Sequence, residues 1–244
     1  MTATPEAILA RHAALDAALI PFSARDAVHA ALLDTMACMV AGRRSVECRA
    51  LGAAFLQRGG VAESTAIGVP VRVPASSAAI ANAALAHWYE WDDLHDVAII
   101  HASAVIWPVL LAVAEATGAD VPERVGELVA AAVISYDIAA RVGGSITPHA
   151  DIGWYATAPG SAVGAVAGAA RLLALDAAAT ASAMGLAATA VGLTRQPLID
   201  RVTGKNALCA QTVAAVMTSV DLARAGVRGA RNWLAGRHGF NALM

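Results

Sequence analysis

Residues 23–40 read SARDAVHAALLDTMACMV. Within this run Val28, Leu32, Leu33, Met36 and Val40 recur at three- and four-residue spacing, the period of an α-helix. Ser23 stands where a side-chain N-cap is expected, and Gly42 closes the run. Upstream, Ile8, Ala14, Leu15 and Leu19 suggest a first helix ended by Pro21. Downstream, a helix from Val46 to Gln57 stops at Gly59 and Gly60. Further helices are expected at Ser76–Trp91, Ser103–Ala116, Pro122–Val142, Ser161–Leu173, Ala177–Leu193 and Asn206–Ala225. Gly118, Gly143, Gly144, Gly192 and Gly226 supply stops, and Pro122 sits where a first-turn proline is tolerated. The exception is Val61–Val73, where apolar residues alternate but Pro70 and Pro74 intrude, which suits a short extended connection. The fold class is therefore all-α, a multi-helix bundle. No repeat, linker or low-complexity tract divides it, so residues 1–244 form one domain.

Hydrophobic residues make up 58% of the chain and charged residues 15%, so a membrane protein has to be weighed first. Much of the apolar content is alanine. The stretch Ala177–Thr194 is long enough to span a bilayer but is mostly Ala, Thr, Ser and Gly, and the more apolar Ala104–Ala114 is too short. These features point away from a membrane. Glycines at 160, 164 and 168 recur every four residues, a pattern read as close helix packing. Glu6, Arg11 and Asp16 interrupt any secretory signal, and Cys38, Cys48 and Cys209 have no metal-ligand spacing. A cytoplasmic protein is expected. A formal charge of −2 without a basic run argues against nucleic acid as a partner. A chain this apolar also implies a homo-oligomer that covers exposed helix faces.

The densest polar cluster is Glu90-Trp91-Asp92-Asp93-Leu94-His95-Asp96, followed by His101. Carboxylates and imidazoles this close suit acid/base work; the spacing does not announce a zinc or magnesium site, and no metal is expected. The alternative is a solvated helix end with capping carboxylates. Trp88, Tyr89 and Trp91 read as core or interface aromatics.

Asp92-Asp93-Leu94-His95-Asp96 through His101-Ala102 resembles, without a gap, the D-D-T-H-P-G-S-V-L-H-P signature of the MmgE/PrpD family, which includes 2-methylcitrate dehydratase and cis-aconitate decarboxylase. The resemblance continues along nearly the whole chain. Leu32-Leu33-Asp34 with Ala41-Gly42, Gly59-Gly60 with Ala66-Ile67-Gly68, and Asn82 with Ala86-His87 resemble upstream family motifs. Ser135-Tyr136-Asp137 to Arg141 resembles G-Y-E-x-x-x-R, Gly153-Trp154-Tyr155-Ala156-Thr157 resembles G-W-H-x-T, and Gly164 to Asp176 resembles a helix pair. Thr203-Gly204-Lys205 fits the lysine motif.

The resemblance implies a helical MmgE/PrpD-type domain, a small organic acid as substrate, and no metal or organic cofactor. It implies catalytic roles for His101, Tyr155 and Lys205, and substrate contacts from Asp92, Asp93, Leu94 and His95. The reaction class it implies is that of a lyase or isomerase, with proton transfer at a carbon next to a carboxylate or carbonyl. Three departures bear on the chemistry. Leu94 stands in place of a hydroxyl-bearing Thr. Tyr155 stands in place of a histidine, exchanging an imidazole titrating near pH 6.5 for a phenol near pH 10. After Gly239-Phe240-Asn241 the sequence stops where the family's α/β lid would begin, so the lid is expected to be absent or supplied by a separate chain. The alternatives are a divergent enzyme of specialised metabolism acting on a less polar substrate, or a non-catalytic helical subunit of a split enzyme.

Overall fold

A computed structural model describes residues 4–122, 124–146 and 153–243. Glu123, inside the helix expected from Pro122, lies outside them. The described residues form eleven α-helices and no strand: α1 Pro5–His12, α2 Phe22–Gly42, α3 Val46–Arg58, α4 Ala75–His87, α5 Ser103–Thr117, α6 Val125–Ile146, α7 Thr157–Leu172, α8 Ala177–Ala190, α9 Gln196–Ile199, α10 Leu208–Arg224 and α11 Phe240–Leu243. Among these residues no helix is long and apolar enough to cross a membrane.

Two helices lie at the centre. Consecutive residues of α4 from Ala81 to His87 are buried, as are those of α7 from Thr157 to Ala170, so both are enclosed on every side. Small side chains make this possible. A Cβ on Gly164 would lie 2.3 Å from the Ser135 carbonyl oxygen, and one on Gly160 2.8 Å from that of Ala139. One on Gly168 would meet Ser135 Oγ at 2.2 Å. The four-residue glycine stripe of α7 is thus the groove into which α6 packs backbone to backbone. Gly42 performs the same service for α2, whose final turn presses on Leu85 near the end of α4.

Several boundaries differ from the sequence expectation, each for a local reason. The first expected helix breaks after His12, and Asp16 then accepts from the Ala18 N–H to start a separate 3₁₀ turn at Ala17–Leu19. α2 starts at Phe22 behind Pro21 and uses no side-chain cap, so Ser23 lies inside it. Gly143 and Gly144 do not stop α6, because its last turns are held against Ala98, Ile100 and α7. α5 runs through Pro108 although that residue cannot donate to the carbonyl one turn back; almost all of the helix is buried, and packing outweighs the lost bond. The Val61–Val73 connection is extended as expected: Ser64 and Val73 exchange two backbone hydrogen bonds of 2.9 Å. Asn82 pins this connection to α4 by accepting from the Ile67 N–H and donating to the Thr65 carbonyl, both at 2.9 Å.

The α6–α7 approach leaves no room for a methyl group. Gly164→Ala should destabilise the protein by about 1–3 kcal/mol in urea unfolding, overpacking exceeding the helix-propensity gain. Gly126→Ala, whose added Cβ would meet nothing within 4 Å, should be neutral or slightly stabilising. Equal stability of the two variants would show that the helices can move apart freely.

Candidate active site

The helix α4, expected from the sequence to continue to Trp91, ends at His87. One side-chain hydrogen bond and one backbone turn end it. Asn206 donates from Nδ2 to the carbonyl of Trp88, satisfying the helix end. Glu90 takes a left-handed conformation, φ 54°, which turns the chain back so that Asp92 returns to the helix it has just left. The Asp92 carboxylate then meets His87 Nδ1 at 2.9 and 3.1 Å, with both side chains fully buried.

His87 is the hub of a polar cluster in an otherwise apolar interior. Its second nitrogen, Nε2, lies 3.1 Å from the Tyr155 hydroxyl and 3.2 Å from Lys205 Nζ. The Tyr155 hydroxyl in turn lies 3.5 Å from Cys209 Sγ. The His101 ring stands edge-on to that of His87 at a centroid distance of 4.8 Å, with its Nδ1 3.4 Å from the same Asp92 oxygen. Lys205, the sole lysine of the chain, is buried and ion-paired to Glu90.

Each group is placed by a different element. His87 ends α4, whose C-terminal dipole favours a cation there. His101 is fixed by its backbone N–H, which donates to Thr157 Oγ1 at the start of α7 over 3.2 Å. Tyr155 donates its N–H to the Leu193 carbonyl at 2.8 Å. Lys205 closes a 3₁₀ turn, Thr203–Lys205, just before α10, which carries Cys209. Asp93 faces away from His87: its carboxylate accepts from Ser103 Oγ at 2.6 Å and from the Ser103 N–H at 3.2 Å, and Ser103 Oγ also bonds the Tyr136 hydroxyl.

The structure therefore brings His101, Tyr155, Lys205 and Asp92 together. Asp93, the next residue, is bonded to Ser103 instead. Leu94 and His95 belong to an exposed loop, and among the described residues no hydrogen bond or ion pair joins them to the cluster. His95 is turned outward because its backbone pairs with Ile100 while its Nδ1 accepts from the Ala98 N–H. Tyr89 and Trp91, read as core or interface aromatics, are exposed and stack on each other at 5.0 Å. The central residue, His87, belongs to one of the upstream motifs, yet sequence reasoning assigns it no role. Its signal is an imidazole at the end of an unbroken alanine-rich helix, five residues before Asp92. Cys209 carries no sequence signal of this kind.

Burial is the largest influence on Asp92 and pushes its carboxyl up, but the two imidazoles of His101 and His87 facing it together prevail and hold it down at about 2. Burial likewise pulls His87 down and is outweighed by Cys209 and Asp92, which leave it raised to about 10. Burial raises Tyr155 well above the usual phenol value, helped by Cys209, so the residue is a neutral hydrogen-bond donor. Asp93 is raised by burial against the pull of Ser103. His87, Asp92 and His101 also offer three ligand atoms within 4.8 Å of one another, the one such group among the described residues. Both imidazoles already direct a nitrogen at the carboxylate, and the Lys205 ammonium beside His87 opposes a further cation.

The arrangement is that of a carboxylate-oriented imidazole pair beside a lysine and a phenol. The model of the MmgE/PrpD N-terminal domain matches residues 8–244. The chain belongs to the MmgE/PrpD family. Comparison with curated proteins gives no match. Within this MmgE/PrpD domain the Tyr155 phenol bonds His87 Nε2.

The buried pair gives stability a defined pH dependence. Asp92 is lowered in the folded state, so its contribution is complete above the unfolded value near pH 4 and is lost as pH falls toward 2. His87 is raised, so its contribution is complete below about pH 6.5 and is lost as pH rises toward about 10. Melting temperature should fall by on the order of 10 °C between pH 6.5 and 10. In His87→Gln that alkaline decline should flatten. A His87→Gln profile parallel to wild type would show that the imidazole carries no linked proton.

Proposed function

We propose that the chain carries the proton-transfer centre of a lyase or isomerase acting on a small organic acid, at a carbon next to a carboxylate or carbonyl. One observation supports this most: a buried carboxylate, Asp92, orients two imidazoles, while a lysine and a neutral phenol converge on one face of His87. Such a centre has both a proton carrier and donors for developing oxyanion charge.

In this reading His101, whose side chain is 19% exposed and so reaches the open side of the cluster, takes the proton from the α-carbon. The electron pair moves onto the carbonyl oxygen. Lys205 Nζ and the Tyr155 hydroxyl hold that enolate oxygen. The pair then expels a β-substituent, which leaves with the proton of the His101 imidazolium and gives an alkene, or returns to carbon and takes a proton from solvent on the opposite face, giving the epimer. In a decarboxylation the carbon–carbon bond breaks instead, carbon dioxide leaves, and His101, which then enters the reaction already protonated, protonates the carbon. Asp92 stabilises the imidazolium at each stage. His87, raised toward its charged form, adds positive potential on the enolate side. Asp93, Leu94 and His95, outside the hydrogen-bonded cluster, contribute through the loop that bears Asp92. No metal or organic cofactor enters the scheme.

The test uses exchange at carbon, which reads proton transfer whatever the final product. The protein is incubated in D₂O with a panel of small organic acids and their less polar derivatives, and α-deuteration is followed by NMR. Lys205→Ala should depress exchange by about a hundredfold or more with the fold retained, and Lys205→Arg should also fail, because a planar fork does not reproduce a compact ammonium. Undiminished exchange in a folded Lys205→Ala protein would remove the lysine from the mechanism.

We also propose that the chain works as a homodimer, which the exposed apolar residues Phe22, Leu33, Met36 and Val40 of α2 support. Light scattering at micromolar concentration should give twice the chain mass. A clean monomer there would leave the α2 face to a different partner, such as a separate lid-bearing chain.

A further inference from the structure

A cavity of about 570 Å³ opens between the 3₁₀ turn Ala17–Leu19, the first half of α2 and the middle of α6. Small-molecule sites range over about 300–1,000 Å³. None of His87, Asp92, His101, Tyr155, Lys205 or Cys209 lines it, so it is separate from the candidate active site. Most of its wall is aliphatic, with Leu15, Leu19, Ile20, Val28, Val133 and Ile134 among the lining residues. The α2 residues it uses, Ala24, Ala27, Val28 and Ala31, fall roughly opposite the exposed Phe22, Leu33, Met36 and Val40 at 3.6 residues per turn. The cavity and the proposed dimer face therefore do not compete for α2.

The roof of the cavity is held in place without a ligand. Arg25 donates to the Ala17 carbonyl at 2.6 Å and to that of Ile20 at 3.3 Å, and Arg171 donates to the Leu15 carbonyl at 2.6 Å. His12 Nε2 meets an Asp137 oxygen at 2.8 Å and ties the end of α1 to α6. A ligand entering here has no loop to order first, which favours binding.

The polar lining consists of His12, Asp93, His95, Tyr136 and Asp137, and among the described residues no lysine or arginine lines the cavity. Asp137 is already shared by two basic side chains: besides His12, Arg141 Nε lies 2.9 Å from both of its oxygens. Asp93 is held differently. Its carboxylate accepts from the Ser103 N–H and from Ser103 Oγ, both neutral donors, which leaves further lone pairs on its oxygens. Burial raises its carboxyl against those bonds, the mark of a carboxylate short of a counterion.

We propose that this cavity is a binding site for a small apolar amine, whose ammonium pairs with Asp93 and whose hydrocarbon body lies against Leu15, Ile20, Val28 and Val133. Two carboxylates in the lining disfavour an anion, and His12, which could attract one, is engaged by Asp137. An alcohol of the same length would fit the aliphatic wall equally well but brings no charge to Asp93. The preference for amine over alcohol therefore reads the carboxylate, and the dependence on chain length reads the wall.

The test is calorimetric titration of the protein at pH 7 with hexylamine, propylamine, hexan-1-ol and hexanoate. Hexylamine should bind at one site per chain, about tenfold or more tighter than propylamine, since each buried methylene adds affinity. It should also bind about tenfold or more tighter than hexanol or hexanoate. Asp93→Asn should remove the preference over hexanol, and Ala31→Leu, which fills the cavity from α2, should weaken hexylamine by about tenfold or more. Lys205→Ala should leave hexylamine binding unchanged. The proposal is overturned if the wild type binds no hexylamine at millimolar concentration, or binds hexanol or hexanoate as tightly. Undiminished binding in a folded Ala31→Leu protein overturns it as well, and so does loss of binding in Lys205→Ala, which would place the amine in the His87 cluster. If Asp93→Asn does not fold, the hexylamine-to-hexanol ratio of the wild type and the Ala31→Leu result decide.

Discussion

The Asp92 carboxylate, enclosed between two imidazoles, is the interaction on which the architecture of the site depends. An isolated carboxylate in such a place would cost several kcal/mol and would bind a proton instead. Its ionised form persists because His87 and His101 face it from two different elements, the end of α4 and the start of α5. The partnership also explains the backbone. The chain leaves α4 through a strained turn at Glu90 because that path returns Asp92 to His87, and the same turn carries the Glu90 side chain to Lys205. Removing Asp92 would leave two imidazoles and a lysine in proximity with one carboxylate among them.

Around this polar knot the protein is assembled from small residues. α4 and α7 lie at the centre because alanine and glycine let neighbouring backbones approach within contact of their carbonyls. Such packing yields less apolar burial per residue than leucine or phenylalanine would, but it leaves little room for helices to shift. The rigidity matters for chemistry. His87, His101, Tyr155 and Lys205 come from four separate segments, and the contacts of about 3 Å that Tyr155 and Lys205 make with His87 hold only if the helices keep their spacing. Asn206 reinforces this by tying the Lys205 turn to the end of α4.

Tyr155 changes what the knot can do. A histidine in its place would offer a second titratable base near neutral pH, whereas a buried phenol stays protonated and donates. In the proposed mechanism, proton movement is therefore concentrated on the imidazoles, and oxyanion stabilisation on Lys205 and Tyr155. Cys209, beneath the phenol, closes the far side of the cluster with a weakly polar sulfur. The centre is thus polar toward His101 and Lys205 and apolar behind, a gradient suited to binding one charged end of a small molecule.

Much of this was legible in the order of residues. The three- and four-residue spacing in residues 23–40 and in the segments that follow determined an all-helical chain, because helical periodicity is a local property of neighbours along the sequence. The acidic motif, His101, Tyr155 and Lys205 were likewise recognisable as a set, and the glycines at 160, 164 and 168 announced a close helix contact. Tertiary structure alone decided that α4 stops at His87, that α6 continues past Gly143, and that α5 tolerates Pro108, because packing and side-chain caps from distant segments outweigh local preference there. It also decided which acids matter. Glu90, Asp92 and Asp93 look equivalent in sequence, yet one pairs with Lys205, one with two imidazoles and one with Ser103. That division depends on where α4, α5 and the turn before α10 meet in space, over separations of more than a hundred residues, which no local pattern encodes.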